Sequence, residues 1–370
     1  MATDLIERIT LPKRRTPIYK SVDVLVCGGG VSGVCAAVAA ARAGSNVLLV
    51  ERNVVLGGNA PLSFAIDLPV SAGGLGAEIE ARLIANGEAG IDAATGGLAY
   101  EPEALKYVLL DLAQEAGVQL LLSSWVSTPI MQDGAVRGAM VENKSGRFAI
   151  PAKIVIDATG DGELALRAGA QVREHDGTTS VHMRFRVGGV DVERALAGSA
   201  DWPALVAKAK REGRLSAEQP DSIVVSGLTD MWKRRSTLYV EGPVLDGKGV
   251  WTPDELTRAE AKARVLVREF LPFLKGVPGF EQSSLIDLAG TMQVPRTRHV
   301  IGNAEFEAGQ AGTLPEACFQ PKGLANLIVT GRAISIAQDA WADERADLSG
   351  AAVGERAGQI AAREAIGVYG

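Results

Sequence analysis

The chain has 370 residues, 47% of them hydrophobic and 22% charged, a balance that suits a soluble globular protein with one interrupted domain or two. A net charge of −6 argues against a nucleic-acid binder, which needs a basic face, and the basic runs at 13–15 and 233–235 read as solvated surface turns. Cys27, Cys35 and Cys318 lack metal-ligand spacing and are too few for an ordinary iron–sulfur cluster, so no metal is expected, and they fit a reducing cytoplasm.

Arg14-Arg15 precedes an apolar region and could mimic a twin-arginine export signal, but that region is needed as the first strand and helix and is broken by Gly28, Gly29, Gly30 and Gly33. No stretch reads as a membrane span, so no integral membrane association is expected. Residues 22–27 form a near-continuous apolar run, as in a strand buried on both faces of a parallel sheet. Residues 31–43 are rich in Ala and Val and stop at Gly44, which predicts a helix; residues 46–50 are the next strand. The unit is strand, glycine-rich turn, helix, strand, with Gly28-x-Gly30-x-x-Gly33 in the turn and Glu51 ending the second strand.

That arrangement has a chemical reading. Gly28 permits a tight turn, Gly30 lets backbone N–H groups approach a diphosphate, and Gly33 lets helix and strand approach closely. The helix N-terminus adds unpaired donors and partial positive charge. Glu51 is placed to accept hydrogen bonds from adenosine ribose hydroxyls and to repel a 2′-phosphate, which argues against NADP. NAD and FAD share this fingerprint.

Residues 102–116 predict an amphipathic helix with Pro102 in its first turn and Gly117 after its end. Three strand-like segments follow, at 118–132, 135–143 and 146–160, with turn signals at Asp133-Gly134 and Lys144-Ser145-Gly146, which predicts an antiparallel meander. In "TSVHMRFRV", Val181, Met183, Phe185 and Val187 alternate with His182, Arg184 and Arg186. Thr252 and Glu255 form a capping-box signature for a helix running towards Phe270. "NLIVTG" at 326–331 is a late buried strand, and 349–365 predicts a helix whose Gly350, Ala351, Gly354, Ala357 and Gly358 allow close approach of backbone or ligand.

"ERNVVLGGNA", "VIDATGDGELALRAGA" and "NLIVTGRAIS" resemble the three separated flavin-contacting segments of glutathione-reductase-type flavoproteins. With "TTSVHMRFRVGGVD" and "PRTRHVIGNAEF", the chain more narrowly resembles the FAD-dependent oxidoreductase family that includes relatives of the FAD subunit of heterodisulfide reductase. The resemblance implies an α/β fold: a Rossmann-like FAD-binding domain of glutathione-reductase type at 1–175 and 291–370, interrupted by an α+β substrate domain at 176–290. It implies FAD contacts at Gly28, Gly30, Gly33, Glu51, Arg52, Gly57, Gly58, Asn59, Val126, Thr159, Gly160, Asp161, Gly331 and Arg332. The family often carries an arginine where Pro295 stands here, and Arg298 is the better match. The residues themselves add Ser349, Gly350 and Ala351, because a helix opening there can direct partial positive charge at the flavin pyrimidine.

Flavin supplies hydride chemistry, so the protein must hold a substrate and manage a proton. His182 and His299 lie in stretches matching the family's substrate side and rank first among three histidines. Arg298 and Arg345 can bind a carboxylate or polarise a carbonyl. Trp125 and Trp341 read as packing residues, and Cys318 as a poor candidate for a flavin tether. "SAGGLGAE" at 71–78 lacks a preceding apolar run, so no dedicated nicotinamide domain is expected. The resulting expectation is a dehydrogenase or oxidase taking hydride from a small polar metabolite. Its electrons would leave to dioxygen, a soluble acceptor or a partner protein, and a homo-oligomer stays open. The alternatives are a flavin reductase with a transient NAD(P)H or protein donor, and a flavin-carrying electron-transfer subunit.

Overall fold

The computed structural model describes residues 15–68, 71, 73–92, 96–175, 178–248, 251–310, 313–341 and 350–367. The first unit has strand β1 (Val22–Cys27), helix α1 (Val31–Arg42) and strand β2 (Val47–Val50). Helices α2 (Gly74–Ala85) and α3 (Pro102–Glu115) follow. Strand β3 (Gln119–Leu121) extends the parallel pairing, and β4 (Trp125–Gln132), β5 (Ala135–Asn143) and β6 (Gly146–Asp157) form the meander. The expected strand at 118–132 is therefore two strands. Ser123 takes a left-handed backbone (φ +51°), and this turns the chain out of the parallel sheet before it re-enters in the antiparallel sense.

The long strand β6 serves both sheets. Its first half pairs with β5, while Ala152–Asp157 run parallel to β1, with Leu25 beside Val155 and Val26 beside Ile156. Helix α2 opens at Gly74, with Gly73 as its N-cap.

A second, antiparallel sheet has the order β8 (Val224–Ser226), β9 (Thr237–Lys248), β7 (Thr178–Gly188), β10 (Ser284–Leu288). The alternation in β7 is realised: Val181, Met183, Phe185 and Val187 are fully buried in a cluster with Phe270 and Phe280. That cluster also takes Phe64, Ile66 and Met292 from the flanking chain. Helix α4 (Pro253–Leu274) covers it, opened by the Thr252–Glu255 capping box and running past Phe270, with Pro272 in its last turn.

Strand β11 (Leu327–Val329) returns to the first unit and pairs parallel with β6, and helix α5 (Gly350–Gly367) closes the layer over α1. The architecture is a mixed α/β fold with parallel and antiparallel pairing in one Rossmann-type sheet. Val24 and Val26 face the helices, and Leu25 and Cys27 face the meander.

The α1–α5 contact is made by backbone. A Cβ on Gly354 would lie 2.2 Å from the Ser32 carbonyl oxygen, and one on Gly358 2.1 Å from that of Ala36. These glycines serve helix packing, not ligand approach. Replacing Gly358 with Leu should destabilise the protein by on the order of 3 kcal/mol through overpacking. Urea denaturation checks this, and an unchanged midpoint would refute the seam.

Candidate functional site

The carboxyl ends of β1, β2, β6 and β11 converge, placing Gly28, Glu51, Ala158 and Thr330 around one cleft with a cavity volume of about 340 Å³. This is where an open α/β sheet receives a ligand, because helix N-termini and loop backbones meet beyond the strand ends.

Gly28 has φ +113°, and a Cβ there would lie 2.3 Å from the Ala158 carbonyl oxygen. A Cβ on Gly33 would lie 2.0 Å from the carbonyl oxygen of Gly28, so the turn and helix fit only without side chains. Gly30 differs: a Cβ there meets nothing within 4 Å, because it faces the cleft. Helix α1 begins after Gly30 with no side-chain cap and no acid in its first turn, leaving its first N–H groups free for an anion. The buried Glu51 carboxylate accepts the Gly29 N–H at 2.5 Å and the backbone and side-chain N–H groups of Asn53 at 2.8 and 2.6 Å.

Gly57, Gly58 and Asn59 form the opposite lip, and Arg52, Val126, Thr159, Gly160, Gly331, Arg332 and Gly350 also line the cleft. Buried Asp157 secures the turn after β6 by accepting from Thr159 N–H (3.0 Å), Thr159 Oγ1 (2.7 Å) and Ala165 N–H (2.8 Å); burial raises its pKa, which these bonds oppose. Arg332 joins three segments through Asp161 (2.9 Å), the Gly160 carbonyl (3.0 Å) and the Val294 carbonyl (3.0 Å). Asp161 thus acts as the partner of Arg332 and is not part of the lining. Ala351 is buried against Gly76, where an added Cβ would sit 3.3 Å from it, and it too is not part of the lining. Ser349 and Arg345 lie outside the described residues.

Two tryptophans read as packing residues line the cleft. Trp125 is 45% exposed with the Arg52 guanidinium 5.3 Å from its ring centroid, and Trp341 carries Arg296 at 4.9 Å. The signal that could have placed Trp125 is its position just after the Ser123 turn.

The expected catalytic residues are not gathered in the cleft. His299 is 1% exposed, with Nδ1 3.4 Å from His175 Nε2 and Nε2 3.0 Å from Glu305 Oε1. Burial, with Arg296 nearby, lowers its pKa to about 4. Arg298 donates from Nε to the Asp161 carbonyl at 2.9 Å and so braces a loop. Neither residue lines the cleft. His182 sits on the polar face of β7, with Nδ1 3.9 Å from Glu241 Oε2, and burial lowers its pKa. It reaches the cleft indirectly. His182 and Gln293 exchange backbone hydrogen bonds (3.2 and 2.8 Å), and the next carbonyl, Val294, accepts from Asn59 Nδ2 (3.4 Å) and Arg332. Cys318 is buried, with its thiol pushed up to about 11, and is not part of the lining. Sequence reasoning missed Arg296, which is 6% exposed and donates to the carbonyls of Arg332 (2.6 Å), Ile334 (2.8 Å) and Ile336 (2.7 Å).

The family described as FAD dependent oxidoreductase matches residues 23–311. The chain belongs to that family. It is an FAD-dependent oxidoreductase, and FAD is its cofactor. A digeranylgeranylglycerophospholipid reductase of Methanoculleus marisnigri is 32% identical over 162 residues, 40% of this chain and 41% of that one. A second such reductase, from Methanothermobacter thermautotrophicus, is 28% identical over 189 residues, 46% of this chain and 48% of that one. The flavoprotein thus matches less than half the length of these curated relatives. Among solved structures, a flavin-dependent brominase shares 14% identity at a TM-score of 0.54, covering 95% of this chain and 80% of that one. The p-nitrophenol 4-monooxygenase of Pseudomonas putida shares 14% at 0.52, covering 90% and 77%. At such identities the structural likeness concerns the fold alone.

The donor set fits the cofactor of this flavoprotein: open space over Gly30, uncapped N–H groups on α1, a buried acid, and an aromatic ring at the mouth. Gly30→Val should leave the fold intact but abolish the yellow colour, whereas Gly33→Val should lose both; circular dichroism and flavin absorbance separate these outcomes. If Gly30→Val retains FAD, the cofactor lies elsewhere.

A second expectation concerns pH. His299 binds its proton less tightly folded than unfolded, where the ordinary value is 6.5, so the unfolded chain holds more protons between those values. Stability should therefore fall as pH drops from 6.5 towards about 4. The urea midpoint of His299→Gln should fall less steeply over that range, and parallel curves would count against the assignment.

Proposed function

We propose that the chain exchanges hydride between FAD and an organic substrate bearing a polar group held against the polar face of β7 and β9. The single observation carrying this reading is the Gln293–Val294 strap. One residue pairs with His182 on the second sheet, and the next is held by Asn59 and Arg332 at the cleft. FAD is taken to lie extended in the glutathione-reductase manner, a reading supported by the inserted meander and the late return of β11 beside β6.

When bound, FAD supplies two-electron hydride chemistry. The first turn of α1 would hold the diphosphate, Glu51 the ribose, Trp125 and Arg52 the adenine side, and Gly58, Asn59 and Gly350 would border the flavin. Arg184 is occupied by Glu241 (2.9 Å), Gln293 (2.8 Å) and the Phe64 carbonyl (3.1 Å), so it shapes this wall and carries no free charge towards substrate. His182, kept neutral by burial, is the group available to give or take a proton at Nε2, with Glu241 behind its other nitrogen.

The direction proposed is reduction of an unsaturated substrate, because the curated relatives described above are named reductases. Oxidation of a polar metabolite is the second reading, favoured by the charged lining of the β7–β9 face. One anaerobic experiment decides between them. Photoreduced protein is mixed with unsaturated acceptors bearing polar heads, and oxidised protein with hydroxy and amino metabolites. Return of yellow colour, with product gaining two hydrogens by mass spectrometry, supports reduction; bleaching by a metabolite supports oxidation. If neither occurs and only a protein partner exchanges electrons, both readings fail.

A further inference from the structure

Arg296 stands out among the buried groups that the proposed chemistry leaves unused. Its guanidinium is held by three backbone carbonyls, all neutral, and no carboxylate lies within ion-pair distance among the described residues. One nitrogen, Nη1, is shielded from solvent and finds no acceptor among the described residues. The acid among the described residues that acts on it, Glu305, is committed to Arg173 at 2.5 and 2.7 Å and sits beside His299. Burial makes the charge costly, and the pKa falls to about 10, still far above neutral pH. A guanidinium thus stays charged in a low-dielectric interior with no ion-pair partner among the described residues.

Its position gives that charge an outlet. Trp341, whose ring lies against the guanidinium, lines the cleft. So does Arg332, whose carbonyl Arg296 holds and whose own charge is neutralised by Asp161. Arg296 is therefore one residue layer behind the wall, on the side where Asn59 and Gly350 border the cleft. Screening by water is weak there, so its field extends into the cleft.

We propose that Arg296 is a fixed positive charge that favours the reduced, negatively charged form of the flavin without touching it. The inference rests on the reading that FAD occupies this cleft. Reduction adds two electrons and one proton to the ring system and leaves one net negative charge; dithionite supplies the electrons in the assay and water the proton. Arg296 acts here as a positioning residue, through charge and through the carbonyls it holds.

The test is the midpoint potential by dye equilibration in flavin-loaded protein. Arg296→Gln should lower the equilibrium constant for reduction about tenfold, about 30 mV for a two-electron couple. Arg296→Lys, which keeps the charge but not the geometry, should stay within about threefold of the native protein. An unchanged Gln variant overturns the proposal, and so does a Lys variant shifted as far as Gln, since that result assigns Arg296 a scaffold role alone. If neither variant retains FAD, the native protein decides. One proton per two electrons requires a tenfold change per pH unit, about 30 mV, and a hundredfold change, about 59 mV, rejects the anionic reduced form. Retention of FAD by Gly30→Val would instead sink the placement of the cofactor, so the two failures are distinguishable.

Discussion

Backbone pressed against backbone around helix α1 is the constraint on which the rest of the molecule depends. At its start Gly33 meets the carbonyl of Gly28, and along its flank Ser32 and Ala36 present their carbonyls to Gly354 and Gly358. A methyl group at any of these glycines would intrude within van der Waals contact. The approach fixes the helix axis to the strand ends and to α5 together, so the uncapped N-terminus of α1 and the start of α5 border one cleft. The hydroxyls of Ser32 and Thr330, 2.9 Å apart, extend the same seam to β11, where Thr330 also donates to the Val353 carbonyl at 3.1 Å.

Much of this was legible in the sequence because its causes are local. The fingerprint glycines, the acid ending β2, the capping box before α4 and the alternation in β7 each leave a pattern within a few residues. The division of 118–132 into two strands was hidden, because it turns on one left-handed serine between segments of equal apolarity. The surroundings of His299 and Arg298, which do not line the cleft, were hidden for another reason: they are assembled by tertiary contacts with His175, Glu305 and Asp161. Arg296 gave no signal, since a buried arginine in an irregular segment looks like its neighbours until its carbonyl partners, 36 to 40 residues further along the chain, are known. The tryptophans show the same limit. Composition says that a ring will find cover, but not that the cover is the mouth of a cleft.

The family and the geometry bear on different parts of the chemistry. Membership fixes cofactor and reaction class, while the proposed substrate contacts lie on the second sheet. Its polar face is not a set of free charges. Arg184 and Glu241 neutralise each other, as Arg186 does with Asp287 at 2.5 Å, which leaves His182 as the titratable group with an open side. A wall of paired charges offers a ligand shape and hydrogen bonds more than net charge.

Strand β6 gives the molecule a tie. One continuous run of twelve residues ends in Asp157, the carboxylate that secures the cleft turn, while its other end belongs to an exposed hairpin. The strand connects the hairpin tip to the cleft floor through continuous paired backbone that does not pass through the helices. The hairpin tip is thereby joined through one run of backbone to the turn that Asp157 secures, although no side chain there comes near it.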